Sequence, residues 1–116
     1  MNLMGKGPLG QKGAKPVRSK IMRNAARDKD CTLRLDGCRN DRATVVLCHL
    51  RMFGAAGMGQ KPHDAIAVYG CAHCHAILDR VNQPEAPIGD GDILRALIHT
   101  LGDQIASGNI TCRGDA

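Results

Sequence analysis

Two pairs of cysteines constrain this 116-residue chain more than any other sequence feature. Cys71 and Cys74 are separated by two residues, a spacing that lets two thiolates grip one metal ion from a tight turn. Cys31 and Cys38 can supply the second pair of thiolates. Zinc favours four ligands in a tetrahedron, with Zn–S bonds of about 2.3 Å. The spacing therefore predicts one structural zinc ion held by these four cysteines.

The composition favours a metal staple over a large apolar core. The chain contains one Phe, one Tyr and no Trp, so large aromatic side chains cannot fill its interior. A chain of this length is one small domain, and metal binding contributes directly to the folding free energy of such a domain. Six cysteines could instead form three disulfides. Because we find no apolar signal segment and no run near the ~20 apolar residues of a membrane span, we expect a reducing, cytoplasmic compartment.

The positive charge is concentrated at one end of the chain. Residues 1–29 carry eight basic side chains and one acidic one, whereas the remainder carries eight basic and ten acidic side chains. This imbalance favours a polyanionic partner, above all nucleic acid, although a solvated tail that aids solubility has the same pattern. Residues 1–17 combine lysines with Gly and Pro and are predicted to be a basic disordered arm. The folded domain then spans residues 18–116.

The rest of the pattern predicts an α+β fold. A helix is expected from Ser19, its cap, to about Lys29. Short strands are expected at residues 31–38, at 44–50 and, with a helical turn as the alternative, at 63–69. A turn is expected at residues 36–37. The glycine-rich loop at 54–62 is either a flexible connector or a backbone that approaches a ligand, with Lys61 on a phosphate.

A second strong helix is predicted at residues 92–107, with Asp92 as a candidate cap. Its apolar residues recur at intervals of three and four and are expected to face the core. This stripe consists of Ile93, Leu94, Leu97, Ile98, Leu101 and Ile105. His99 lies off the stripe and is interpreted as a surface residue. Cys112, in the polar tail, is expected to be a free thiol.

The stretch that begins at Cys71 continues into a helical pattern with further candidate ligands. His75 and Asp79 are four residues apart and so lie on one helical face. An imidazole and a carboxylate in this position fit two ligands of a second, catalytic divalent metal. His49 lies near the end of a predicted strand; such a residue is either a satisfied structural histidine or a functional one, and its place before a turn favours function.

The two cysteine pairs, the strand with His49 and the helix with His75 and Asp79 follow one another in a characteristic order and spacing. In this arrangement the chain resembles the HNH-type, or ββα-metal, nucleases, and more narrowly a family of small phage and prophage nucleases. The resemblance covers about residues 19–82. It rests on residues 21–27, Cys31 with Cys38, residues 48–51, residues 57–64 and residues 71–80. It implies a small zinc-stapled, treble-clef-like ββα-metal core with an N-terminal and a C-terminal helix.

The resemblance also implies roles for individual residues. His49 matches the general base, and Asp64 is the nearest polar candidate for orienting His49 or the attacking water. His75 and Asp79 match the ligands of the catalytic ion, Mg²⁺ or another divalent metal. Cys48 stands where most such nucleases place another ligand; it would either bind a soft metal as thiolate or point into the core. Contacts with nucleic acid are expected from Arg23, Arg27, Arg51 and Lys61.

The function that this resemblance implies is a metal-dependent DNA endonuclease in phage recombination or DNA processing. Its expected partners are DNA and recombination proteins in the cytoplasm of the host cell. The alternative is a zinc-stapled DNA-binding module with a vestigial nuclease site, and a protein-interaction adaptor is a third class. The combination of His49, His75 and Asp79 favours the enzyme, whereas Cys48 favours the binding module.

Overall fold

The computed structural model describes residues 15–52, 61–80 and 88–113. This part of the chain contains helices α1 (Lys20–Asn24), α2 (Ala72–Leu78) and α3 (Asp90–Ala106), strands β1 (Val46–His49) and β2 (Ala67–Gly70), and a 3-10 helix at Arg42–Thr44. The two strands form one antiparallel sheet. The prediction of a small α+β fold is confirmed. No helix among the described residues is long and apolar enough to cross a membrane.

The two strands form the buried centre of the fold. Val46 pairs with Gly70 and His49 pairs with Ala67, and every residue of β2 is buried. Gly70 is required by close packing, because a Cβ at this position would lie 2.8 Å from Cys48 Sγ. The strand predicted at 44–50 is confirmed over residues 46–49. The undecided stretch at 63–69 forms a turn followed by β2, which leads directly into α2.

Helix α1 is shorter than predicted. Ser19 caps it as expected, since its Oγ accepts a hydrogen bond from the first turn at 3.2 Å. The helix ends at Asn24 rather than near Lys29. Tight turns over residues 25–28 replace the helical hydrogen bonds, and Asp28 has a left-handed φ of +59°. These turns bring Lys29 to Asp103 of α3, with 3.1 Å between the ammonium and the carboxylate.

The strand predicted at residues 31–38 is wrong. The alternation in burial is real, because Leu35 is buried and Arg34 is exposed. However, Arg34 has a φ of +49°, which an extended strand does not allow. The turn at residues 36–37 is confirmed: Cys38 N–H donates to the Leu35 carbonyl at 2.8 Å, and Gly37 has a φ of +84°. The segment is therefore a folded loop.

Helix α3 begins at Asp90, and Asp92 caps it from within the first turn by accepting a hydrogen bond from Gly89 N–H at 3.0 Å. Its orientation differs from the predicted one. The fully buried positions are Ala96, Thr100 and Gln104, whereas Leu94, Ile98 and Ile105 of the predicted stripe are exposed. Hydrogen bonds set this rotation: Thr100 Oγ1 accepts from Tyr69 N–H at 3.0 Å, and the Gln104 side chain donates to a carbonyl of α1 at 3.0 Å.

Of the predicted basic arm, residues 1–17, the first 14 residues lie outside the described part of the chain. Val17 already belongs to the fold. Its N–H donates to His63 Nδ1 at 2.8 Å, and its carbonyl accepts from Asp64 N–H at 2.7 Å. Residues 54–60 of the predicted glycine-rich loop lie outside the described residues, and Lys61, in the same loop, is exposed. Thus the chain just before α1 is anchored beside Asp64.

Candidate functional site

Four cysteine side chains converge on one point. The ligand atoms of Cys31, Cys38, Cys71 and Cys74 all lie within 4.8 Å of one another, and all four are free thiols. Four bonds of about 2.3 Å in a regular tetrahedron separate the sulfurs by about 3.8 Å. Cys38 Sγ and Cys71 Sγ are 3.8 Å apart. In the part of the chain that the structure describes, this is the one group of three or more candidate ligands that converges, and it could hold a metal ion.

His73 connects the loop that carries Cys38 with the helix that carries Cys74. The sequence gives no signal for this role beyond the position of His73 between Cys71 and Cys74. Its Nε2 lies 2.7 Å from the Asp36 carbonyl oxygen. A Cβ on Gly37 would come within 2.8 Å of the same nitrogen, so a larger residue at this position would displace the His73 ring. Cys71 is the N-cap residue of α2, and Cys74 lies in its first turn. Loop and helix are therefore held together by contacts besides a metal ion.

The thiols differ in their acidity. Burial raises the pKa of Cys38 and that of Cys74 above the ordinary value for a thiol. Burial opposes ionisation of Cys31 as well, but backbone N–H groups of Arg34 and Cys71 outweigh it and lower the pKa of Cys31. A divalent cation favours the thiolate form of its ligands and releases their protons. Metal binding to this group is therefore expected to release protons.

A histidine–aspartate pair lies at the end of β1. His49 Nε2 is 2.7 Å from Asp64 Oδ1. The Asp64 side chain is fully buried, whereas 22% of the His49 side chain is exposed. An imidazole that donates its Nε2 proton to a carboxylate keeps a lone pair on Nδ1, which can accept another proton. The arrangement can therefore act as a general base whose ring is oriented by the carboxylate.

Asp64 has three further hydrogen-bond donors. Ser19 N–H and Arg23 Nη1 reach Oδ2 at 2.6 and 2.8 Å, and Arg18 Nη1 reaches Oδ1 at 3.5 Å. Burial by itself raises the pKa of Asp64. The hydrogen bonds from His49 and Ser19 and the charges of the two arginines outweigh burial and hold the pKa of Asp64 below its ordinary value. The carboxylate is therefore ionised at neutral pH.

His75 and Asp79 lie together on the same side of α2. His75 Nε2 is 3.7 Å from Asp79 Oδ1, and the two side chains are 40% and 71% exposed. Within residues 15–52, 61–80 and 88–113, no third ligand converges on this pair. A Mg²⁺ ion usually keeps several waters and takes only one or two protein carboxylates. Two exposed ligands would therefore leave coordination positions open for water and phosphate oxygens.

Cys48 points into the core. It is fully buried, and its Sγ lies 3.5 Å from the Val46 carbonyl and 3.7 Å from the Gly70 carbonyl. Burial raises the pKa of Cys48 to about 12, so at neutral pH its side chain is a thiol and not the thiolate that binds metals. Of the two alternatives for Cys48, this geometry favours the core position.

The predicted nucleic-acid contacts fall into two groups. Arg27, Arg51 and Lys61 are exposed. Arg23 is 37% exposed and forms an ion pair with the buried Asp64. Arg18, which the sequence pattern did not single out, makes a second ion pair with the same carboxylate, with 3.5 Å between the charged atoms. An arginine just before a helix cap gives no sequence signal for a partner 46 residues away.

Comparisons with known proteins complete the description of the site. A family described as "Putative nuclease YbcO" matches residues 20–92. Two curated relatives, "Putative nuclease YbcO" of Escherichia coli (strain K12) and "Putative nuclease ybcO" of Enterobacteria phage 82, are each 43% identical over 60 residues, or 51% of this chain. This chain spans 62% of the length of each relative. A solved structure, "Structure of a putative bacteriophage protein from Escherichia coli str. K-12 substr. MG1655", is 29% identical with a TM-score of 0.55, covering 76% of this chain and 100% of that chain.

Proposed function

We propose, because this chain belongs to the family described as "Putative nuclease YbcO", that it is an HNH-type, metal-dependent DNA endonuclease. The names of the two relatives support a nuclease. The chain order of β1, β2 and α2, with His49 on the first strand and His75 on the helix, supports a ββα-metal arrangement. The proposal extends both observations to a specific reaction, hydrolysis of a phosphodiester bond.

The observation that carries the proposal is the contact between His49 Nε2 and Asp64 Oδ1 at 2.7 Å. In the proposed reaction, His49 Nδ1 accepts a proton from the water that attacks phosphorus. The ionised Asp64 holds the ring in position and stabilises the imidazolium that forms. A positioned general base of this kind contributes about 10²–10⁴-fold to a reaction rate.

The two groups of candidate ligands have different proposed roles. Four thiolates in a tetrahedron are a donor set that zinc favours, so we assign a structural zinc ion to the four-cysteine group. His75 and Asp79 would hold a second divalent ion, for which we propose Mg²⁺ or another hard cation. When bound, such an ion neutralises charge on the phosphate and on the leaving oxygen. His75 must be deprotonated to act as a ligand, so metal binding is expected to weaken in acid.

DNA is the proposed partner. The exposed positions of Arg27, Arg51 and Lys61 and the excess of basic residues in 1–29 support binding to a polyanion. The relative from Enterobacteria phage 82 supports a phage setting. We therefore propose phage recombination or DNA processing in the host cytoplasm, with recombination proteins as candidate partners.

The proposal is tested by incubating supercoiled plasmid with the protein in Mg²⁺, in Mn²⁺ or in EDTA. We expect metal-dependent nicking that His49→Ala reduces by about 10²–10⁴-fold, because the general base is removed. His99→Ala is the matched control, since His99 is an exposed histidine on α3 outside the site. Asp79→Ala should lower metal affinity, with activity partly restored at high metal concentration. Wild-type protein without metal-dependent nicking, or His49→Ala that cuts at the wild-type rate, would refute the assignment.

Two observations favour the alternative function, a zinc-stapled DNA-binding module. Among the described residues, His75 and Asp79 have no third ligand beside them, and Cys48 is buried in the core. For this alternative we expect duplex binding with strong salt dependence but no cleavage in any divalent metal. Zinc content and folding would be the same in both cases, so the cleavage assay alone decides between them.

A further inference from the structure

Arg23 and Arg27 look equivalent in the sequence but differ in the structure. Arg23 belongs to α1, and its Nη1 donates to Asp64 Oδ2 at 2.8 Å. Arg27 follows the end of the helix and is exposed. The Arg23 guanidinium is thus committed to a fully buried carboxylate. Moving it to a phosphate would leave that buried charge with Arg18 at 3.5 Å as its nearest described cation.

We propose that Arg23 is a positioning residue: acting through Asp64, it fixes the imidazole of His49 instead of binding the DNA backbone. The proposal rests on the proposed function for its effect on cleavage. The link from Arg23 to the His49 ring can also be measured without any cleavage.

The two oxygens of Asp64 have different partners. Oδ2 accepts from Ser19 N–H and Arg23 Nη1, at 2.6 and 2.8 Å. Oδ1 lies 2.7 Å from His49 Nε2, with Arg18 at the longer distance of 3.5 Å. The short bonds at Oδ2 therefore restrict rotation of the carboxylate. This restriction sets where Oδ1 meets the imidazole.

The chain around α1 holds these donors in place. Ser19 both caps the helix with its Oγ and donates its backbone N–H to Asp64. Arg23 is four residues later and so returns to the same side of the helix. Val17 is anchored through its backbone, whose N–H donates to His63 Nδ1 and whose carbonyl accepts from Asp64 N–H. Because Ser19 and Val17 keep their contacts, a variant at Arg23 is expected to fold.

Loss of Arg23 should allow the His49 ring to move and should leave the affinity for DNA unchanged. Oδ2 would retain one donor, the Ser19 N–H, and water would replace the guanidinium. A displacement of a catalytic group by about 1 Å can cost about 10²-fold in rate. We therefore expect Arg23→Ala to lower the single-turnover cleavage rate by roughly 10–100-fold. Lysine keeps the charge but not the planar fork of arginine, so Arg23→Lys should restore part of the rate.

Single-turnover cleavage of a labelled duplex in Mg²⁺ tests this role. Arg113→Ala, which removes a positive charge from an exposed position outside the basic stretch 1–29, is the matched control and should cut at the wild-type rate. Arg23→Ala should leave the dependence of DNA affinity on salt unchanged, whereas removal of a phosphate-binding side chain flattens that slope by about 0.9. In an Asp64→Asn background, Arg23→Ala should have no further effect, because both residues act through one contact.

The second measurement is the imidazole ¹⁵N–¹H NMR spectrum of His49. We expect a hydrogen-bonded Nε2–H signal in the wild type and in Arg23→Lys, and its loss in Arg23→Ala. An Arg23→Ala variant that keeps this signal and the wild-type rate while its salt slope flattens would overturn the proposal and make Arg23 a phosphate-binding residue. If the wild type does not cleave DNA but the signal still depends on Arg23, the nuclease assignment fails and the positioning link stands.

Discussion

Replacing Asp64 with asparagine tests how much the buried carboxylate contributes to the fold. Asp64 is fully buried and has four hydrogen-bond partners, the backbone N–H of Ser19 and the side chains of Arg18, Arg23 and His49. Asparagine has nearly the same shape but no charge and only one acceptor oxygen. If its amide nitrogen faces the two short donors now at Oδ2, those hydrogen bonds are lost; if it faces His49, that bond survives only with the tautomer of His49 that accepts at Nε2. In either orientation the variant lacks the negative charge that pairs with the two arginines.

The size of the effect follows from the exposure of the partners. Removing one member of a buried ion pair costs about 3–5 kcal/mol when the other remains buried. Here the Arg18 and Arg23 side chains are 38% and 37% exposed, so water can partly solvate them after the change. We therefore expect Asp64→Asn to lower the free energy of unfolding by about 2–4 kcal/mol. For a domain of this size, the corresponding fall in Tm is roughly 10–20 °C.

Urea denaturation at pH 7 with zinc present measures this loss. Asp103→Asn is the matched control, because Asp103 also accepts two side-chain hydrogen bonds, from Tyr69 at 2.6 Å and Lys29 at 3.1 Å, but is 32% exposed. The amide oxygen can still accept from Tyr69, so we expect a loss below about 1 kcal/mol. Equal losses in the two variants would refute the reasoning, since burial of the carboxylate would then not determine its contribution.

The effect of the same substitution on stability should also depend on pH. The pKa of Asp64 in the folded protein is lowered, because hydrogen bonds and the arginine charges outweigh burial. A carboxylate of this kind stabilises the fold fully above its unfolded pKa of about 3.9 and loses this contribution as pH falls through the folded pKa. The stability difference between wild type and Asp64→Asn should therefore not shrink between about pH 8 and pH 5, and should fall only below about pH 4. A difference that shrinks across this range would show that Asp64 is already protonated there.

Two further predictions concern the metal group and the arm. Cys74→Ser should release the ion from the four-cysteine group and unfold the domain, because a structural metal site contributes folding energy directly; protein purified without chelator that contains no zinc by metal analysis would contradict this. Removing residues 1–14, with Lys6 and Lys12, should flatten the plot of log affinity for duplex DNA against log salt by about 0.9 for each phosphate that the shortened chain no longer neutralises. An unchanged slope would mean that these lysines do not bind DNA.

Local patterns in the sequence predicted local geometry well. Each pair of cysteines is brought together by its own short segment, a loop turning at Gly37 and the first turn of α2. The same holds for His75 and Asp79, whose spacing of four places them 3.7 Å apart. Ser19 caps α1 for the same reason. In each case the residues concerned are close in the chain, so the fold has little freedom to separate them.

The pattern of apolar residues did not predict which face of α3 is buried, because polar side chains on this helix hydrogen-bond to other elements. In α3 the sequence favoured burial of Leu94 and Ile98, but both are more than half exposed. Thr100 and Gln104 are buried instead, because their hydrogen bonds to β2 and to α1 fix the rotation of the helix. A buried polar side chain is stable only with a partner, and these partners lie 31 and 82 residues away in the chain. The sequence of a single helix does not contain that information.

The hydrogen-bond network around Asp64 was predicted only in part for the same reason. Its charges also bear on the proposed reaction. A carboxylate beside a general base orients the base but also repels a phosphodiester. Here Arg18 and Arg23 both lie against Asp64, with 3.5 and 2.8 Å between charged atoms. Two cations and one anion leave the cluster with a net positive charge next to His49. Asp64 can therefore hold the imidazole without making the site negative.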